Sequence, residues 1–313
     1  MTNQEKELLM EILKPSNKEI NKKVIELLDK LKVSSKSYID KDYIFLLRKP
    51  ELPILVAHMD IAHNRPNLKD KDIVANNWYI WSPLGIGGDD RCGIFALLVL
   101  SNLEVNLLFT HWEERGGIGA SKFIESKIAK EIDPCYLIEF DRRGKGEWVC
   151  YNYDDMNTEW NKKLNRYFTL GIGSFSDITI LGKYWGICSA NLSIGFYNEH
   201  SISEYIELEA IEDTIRKIPD LLKDLGCKKY MLPEKIDYGY RKIDRWINLW
   251  GYPEKRKGKK KYKVWLYEDY EEIERLYDDY EDYEEIERLY DDYEDYEEIE
   301  SFYYSLNTDE EEV

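Results

Sequence analysis

Two glycines and two acids, Gly87, Gly88, Asp89 and Asp90, stand directly before an apolar run over residues 94–100. Carboxylates crowded against a helix start either cap that helix or hold a cation, and an isolated Asp serves either purpose. The partners that a cation would need lie elsewhere: His58 and Asp60 precede the pair, and Glu113, Glu114, Asp141 and His200 follow it. Brought together without cations, these acids would repel one another and lose hydration. Two divalent ions would neutralise them. Asp89, Glu114 and Asp141 would bring three negative charges, and the neutral imidazoles of His58 and His200 suit zinc among the common cations.

Each residue also has a plainer reading. A lone His58 at a strand end is a packing residue, Asp89 or Asp90 is a helix cap, and Glu113-Glu114 is a solvated pair. To dissolve the set, all of these would have to hold at once. His63 and His111, the two remaining histidines, read as structural.

The elements that must position these residues follow from apolar periodicity. Residues 42–47, 53–57, 105–110 and 135–140 read as strands. The last three are apolar nearly throughout, as strands covered on both faces are, and each runs into part of the polar set: His58 to Asp60, His111 to Glu114, and Asp141. Residues 4–32 read as two helices broken at Pro15, and helices are expected over 92–102, 120–130 and 204–225. Residues 78–81 are a short aromatic stretch, short strands are expected at 147–151, 167–171 and 188–194, and residues 173–177 read as a turn. Strands alternating with helices, each delivering polar groups at its carboxyl end, predict an α/β fold. The expected form is a three-layer αβα sandwich on a mixed, largely parallel central sheet.

The chain of 313 residues is 43% hydrophobic, enough for a large core. Its net charge of −18 is not a property of the whole. Positions 268–313 hold 23 acids and two arginines, whereas positions 1–267 carry a net charge of +3. No nucleic-acid partner is expected for a body this close to neutral. The five cysteines are odd in number and lack CxxC spacing, and positions 1–14 are polar and amphipathic. No apolar run approaches the length of a membrane span. A cytoplasmic protein with no membrane partner is expected.

The ordered series His58-Met59-Asp60, Gly88-Asp89-Asp90, Glu113-Glu114, Asp141 and His200 resembles the co-catalytic di-zinc exopeptidases, which include bacterial leucyl aminopeptidase, tripeptidase and carboxypeptidase-like amidohydrolases. The resemblance covers about residues 40–225; Phe109-Thr110 before the acid pair and Gly117-Ile118-Gly119 after it belong to it. It implies two divalent metal ions per chain, zinc in kind. Asp89 would bridge them, His58 and Asp141 would complete one position, and Glu114 and His200 the other. Asp60 would orient the His58 ring, the Asp89–Asp90 peptide would be cis, and Glu113 would be the general base. The implied substrate is a peptide or an N-acyl amino acid, and the implied reaction is aminopeptidase-type hydrolysis. Deacylation and carboxypeptidase action stay open, as does a catalytically silent metal-binding scaffold. The segment between Asp141 and His200 is too short for the dimerisation domain that some branches insert there, so a single-domain form is expected. Arg143 could meet a substrate carboxylate or pair with nearby acids, and Asp177 could receive a substrate's amino group.

Three regions result: a catalytic domain over 1–230 with N-terminal helices in 1–35, a basic linker over 231–267, and an acidic tail over 268–313. In the tail, residues 268–280 repeat without change over 281–293. The repeat is not a whole number of helical turns, so its apolar stripe moves to a new face in each copy, which argues against a long coiled coil. A solvated appendage is the plain expectation. The sharper one is a binding surface for an unidentified partner, or a mimic of nucleic acid.

Overall fold

A computed structural model describes residues 1–151 and 158–232. The chain divides into two units, Met1–Asp237 and Tyr238–Val313. The basic linker and the acidic tail expected above lie outside the described residues, apart from the linker's first two positions.

Two helices open the chain, α1 (Asn3–Leu13) and α2 (Ile20–Leu31). Strands β1 (Lys36–Ile39), β2 (Tyr43–Leu47) and β3 (Ile54–His58) follow, then the short β4 (Val74–Ala75) and β5 (Tyr79–Trp81). Helix α3 (Gly88–Val99) leads to β6 (Asn106–Thr110), α4 (Ile118–Glu125), α5 (Lys127–Glu131), β7 (Leu137–Arg142) and β8 (Glu147–Val149). The rest comprises α6 (Thr158–Leu164), β9 (Thr169–Leu170), α7 (Asp177–Trp185), β10 (Ser189–Ser193), β11 (Phe196–Tyr197), β12 (Tyr205–Glu207) and α8 (Leu208–Leu225).

Eight strands form one sheet in the order β1-β2-β6-β3-β7-β10-β8-β9. Its centre, β6-β3-β7-β10, is parallel, and antiparallel pairs flank it. Side chains alternate cleanly between the two faces. Leu55, Ala57, Leu107, Phe109, Ile138 and Phe140 join the core made with α1, α2, α3, α6 and α8. Phe45, Ile54, Val56, Leu108 and Leu137 join a second core made with α4, α5 and α7. The architecture is therefore the expected αβα sandwich. Strand β3 is buried along its whole length, which is why that segment reads as an unbroken apolar run.

Some boundaries differ from expectation, each for a local reason. The helix expected over 120–130 breaks at Ser126, whose side chain accepts the Ala129 N–H at 3.2 Å and so caps a second helix, α5. The helix expected from residue 204 starts at Leu208, because Tyr205, Ile206 and Glu207 pair with β5, and Tyr205 and Ile206 also pair with β11. That pairing builds a separate four-stranded sheet, β11-β12-β5-β4. Asp177, expected to end a turn, opens α7, with Ser176 and Thr179 forming a capping box. Strand β1 and helix α6 were not foreseen in the sequence.

Candidate metal centre

Parallel strands place the site. His58 ends β3 and Asp141 lies near the end of the neighbouring β7, while Glu113 and Glu114 follow β6, the neighbour on the other side. Asp89 and Asp90 come from the start of α3, where Gly87 takes φ +68, a left-handed conformation that suits glycine. The Asp89–Asp90 peptide is cis. His200 reaches the cluster from the segment between β11 and β12, with φ +61.

The five expected ligands converge around Asp89. Its Oδ1 lies 3.0 Å from His58 Nε2, and Asp141 Oδ1 lies 3.2 Å from the same nitrogen. Its Oδ2 lies 3.2 Å from His200 Nε2, which is also 3.0 Å from Glu114 Oε2. Asp89 thus turns one carboxylate oxygen to each side. His58, Asp89 and Asp141 form one group with ligand atoms within 4.8 Å of one another, and Asp89, Glu114 and His200 form another. A third group, His58, Glu113 and Glu114, brings Glu113 to the same place. The Oε1 atom of Glu114 is buried without a hydrogen-bond partner. Two imidazoles, three carboxylates and an unpartnered buried oxygen are a donor set that fits two divalent ions of the zinc class.

The electrostatics show the strain on the cluster without them. Burial pushes Glu113 up to about 10, with Asp141, Asp177 and Glu114 adding to it. Burial and the Asp141 charge hold Asp90 well above the usual carboxylate range. Burial also disfavours a charged His58, but Asp141, with Asp60 and Asp89, outweighs it and raises the ring well above its ordinary value. Hydrogen bonds to Asp89 and Glu114 raise His200 to about 11. Divalent ions bound among these groups would displace their protons.

A second ring of contacts fixes the first. Asp90 Oδ2 accepts the His58 N–H at 3.1 Å, and its Oδ1 accepts the Gly93 N–H at 2.9 Å, so it caps α3 and also secures the His58 backbone. Asp60 meets His58 Nδ1 with both its backbone carbonyl, at 3.1 Å, and its carboxylate, at 3.5 Å. The carboxylate also accepts the Glu113 and Glu114 N–H groups at 3.0 and 3.3 Å. Asn191 braces Asp141, accepting its N–H at 2.8 Å and donating to its carbonyl at 3.0 Å.

The two expected substrate contacts fare differently. Arg143 is exposed at the rim. It pairs with Glu199 at 2.6 Å and lines a cavity of about 460 Å³ with Tyr197, Asn198, Glu199 and His200. Asp177 is fully buried and accepts a hydrogen bond from Thr110 Oγ1, so it lies behind Glu113 rather than on an open substrate surface. Burial raises it to about 6. Beside it, Ser176 donates to the buried Glu139. His63 lies near enough to His200 and Asp89 to feel both charges, while His111 Nδ1 lies 4.0 Å from Asp60 and its ring packs tilted against Trp112.

The sequence reading missed Glu139, Asn191 and Glu204. For Glu139 a signal existed, since it is the one acid within the apolar run 135–140, whereas Asn191 stands among the serines of its strand. Glu204, which binds the backbone at Gly87 and Asp89, carries no such mark.

No protein-family model matches the chain, and no curated protein matches it by sequence. Solved structures do. Aminopeptidase PepT from Bacillus cereus superposes with a TM-score of 0.55 at 12% identity, over 70% of this chain and 97% of that one. An aminopeptidase from the archaeon Desulfurococcus kamchatkensis gives 0.53 at 14%, over 76% and 98%. A tripeptidase from Staphylococcus aureus gives 0.52 at 13%, over 69% and 95%. The chain has the fold of these peptidases. The match spans nearly the whole length of each of them.

Proposed function

We propose that the chain is a metal-dependent exopeptidase, most closely an aminopeptidase, with Glu113 as its general base. The observation that carries this is the bridging placement of Asp89, one oxygen toward His58 and Asp141 and the other toward Glu114 and His200. The peptidase fold supports it. Two zinc ions, when bound, would polarise the scissile carbonyl and acidify the attacking water. Glu113 would take the proton from that water and pass it to the leaving amine. Asp60 serves it indirectly, by holding the backbone of Glu113 and Glu114 so that both carboxylates turn inward. Asp90 and Asn191 keep His58 and Asp141 in register by their backbone bonds.

One observation favours a second reading of the substrate. Arg143 beside His200 could exchange Glu199 for a substrate's free carboxylate, as in carboxypeptidase or N-acyl amino acid deacylase action. A silent scaffold would also keep the ligands, but it would give Glu113 nothing to do. A cytoplasmic setting suits a chain in which none of the five cysteines forms a disulfide. Among the described residues, no helix is long and apolar enough to cross a membrane.

Metal analysis combined with turnover of aminoacyl and N-acyl substrates tests the proposal. Two zinc ions per chain with release of the amino-terminal residue supports it. Release of carboxyl-terminal residues or acyl groups selects the second reading, and less than one ion with no turnover on any of them overturns both.

A further inference from the structure

Glu204 lies between His200 and β12 and is only 1% exposed. Its Oε2 accepts the Gly87 N–H at 2.7 Å, and its Oε1 accepts the Asp89 N–H at 2.8 Å. One carboxylate therefore takes two backbone donors from the turn that carries Asp89, a turn remote from it in sequence. The turn lies flat against the same segment: a Cβ added at Gly88 would stand 2.8 Å from Ile206 Cγ1 and 2.9 Å from Phe196 Cβ. The loop that leads from His200 to Glu204 is knitted by its own bonds, Ser201 Oγ to the Asn198 carbonyl at 2.8 Å and Glu204 N–H to the Ser201 carbonyl at 3.2 Å. Gripping Asp89 at one end of this loop thus fixes His200 at the other.

The two halves of the cluster are held by different means. His58 and Asp141 stand on adjacent strands of the central sheet and are braced by Asp90 and Asn191. His200 has no strand beneath it, and its side chain is 54% exposed. A buried carboxylate next to Asp89 is unfavourable by itself. The buried Arg65 and Arg91 guanidiniums are near enough to offset part of that cost. A glutamine could not replace it, because its amide N–H would face a backbone N–H.

We propose that Glu204 is a positioning residue: it clamps the His200 loop to the Asp89 turn and so sets the affinity of the cation position formed by Asp89, Glu114 and His200 more strongly than that of the His58 position, which shares only Asp89 with it. This rests on the two-ion reading of the site. The test is stepwise zinc titration of the full chain against a competing chelator, with cobalt(II) absorption as a second readout, for wild type, Glu204→Gln and Glu204→Asp. Wild type should bind two ions. Glu204→Gln should bind the second ion about 10- to 100-fold more weakly and the first with a smaller loss; its cobalt spectrum should change mainly in the second addition. Glu204→Asp, which keeps both acceptor oxygens, should recover part of the loss. Equal weakening of both ions, or of neither, overturns the proposal. If Glu204→Gln does not fold, the same outcomes are read on Glu204→Asp, and failure of both to fold with zinc present also overturns it. A wild type that binds fewer than two ions would count against the two-ion reading instead.

Discussion

At the scale of single residues, the cluster assigns its work unevenly. Glu113 is half-buried among other acids and within reach of His58 and Glu114, and its proposed part is to move a proton rather than to hold an ion. Glu113→Gln should therefore keep the wild-type metal content and lower kcat by about 10²- to 10⁴-fold. Metal analysis with steady-state kinetics checks this, and a variant that loses metal would recast Glu113 as a ligand. Chelation should abolish hydrolysis, and added zinc should restore it. Four of the five ligand-type residues were legible because each sits where an apolar strand or a glycine turn ends, whereas His200 was legible only from its place in the ordered series. Glu204 was not, because its role consists of bonds to backbone N–H groups of a distant turn, which leave no trace in its neighbours. The burial of Asp177 was hidden for a related reason. A glycine- and hydroxyl-rich stretch looks like a surface turn until Ser176 and Thr179 are seen to cap a helix that carries the acid inward.

At the scale of elements, the close approach of α3 to the sheet sets a firm limit on side-chain size. A Cβ at Gly93 would collide with the Asp90 carboxylate and the Phe140 carbonyl, both parts of the site's support. Gly93→Ala should cost about 1–3 kcal/mol, read as a lower urea midpoint, and should weaken metal binding as well because Asp90 must move. Removing the cap at Ser126 is a milder case: Ser126→Ala should cost about 1 kcal/mol with no effect on metal content, since α5 contributes no residue to the cluster. The central strands and the first helices could be read from periodicity because they are buried on whole faces. The short strands β4, β11 and β12 could not, because two or three residues carry no period and their pairing is decided by distant partners.

At the scale of the whole molecule, the metal-free site ties stability to pH. Glu113, raised to about 10, Asp177, raised to about 6, and His200, raised to about 11, all keep protons in the folded state at pH values where the unfolded chain has lost them. Folding then takes up protons, so the stability these groups supply is complete below their unfolded values and is lost as pH rises toward the folded ones. The melting temperature of chelated protein should fall between pH 6 and pH 9, and saturating zinc should remove most of that decline by replacing the protons. A metal-free profile that is flat or rising would contradict this. Every residue of the candidate site falls between His58 and Glu204, so a chain ending at residue 267 should hydrolyse substrate as the full chain does. The acidity of the tail lies in another part of the chain from the chemistry.

The position of β3 has a consequence for biosynthesis. It is a middle strand of the parallel core, but its two neighbours, β6 and β7, both come later in the chain, with α3 made before the first and α4 and α5 before the second. On an emerging chain, an apolar strand ending in His58 waits with both edges open, one face bare and the other with only α1 and α2 yet made to cover it. Such a segment pairs readily with other chains. Its yield in the cell should depend on how quickly synthesis reaches the end of β7, and so on translation speed and holding chaperones more than on the stability of the finished sheet.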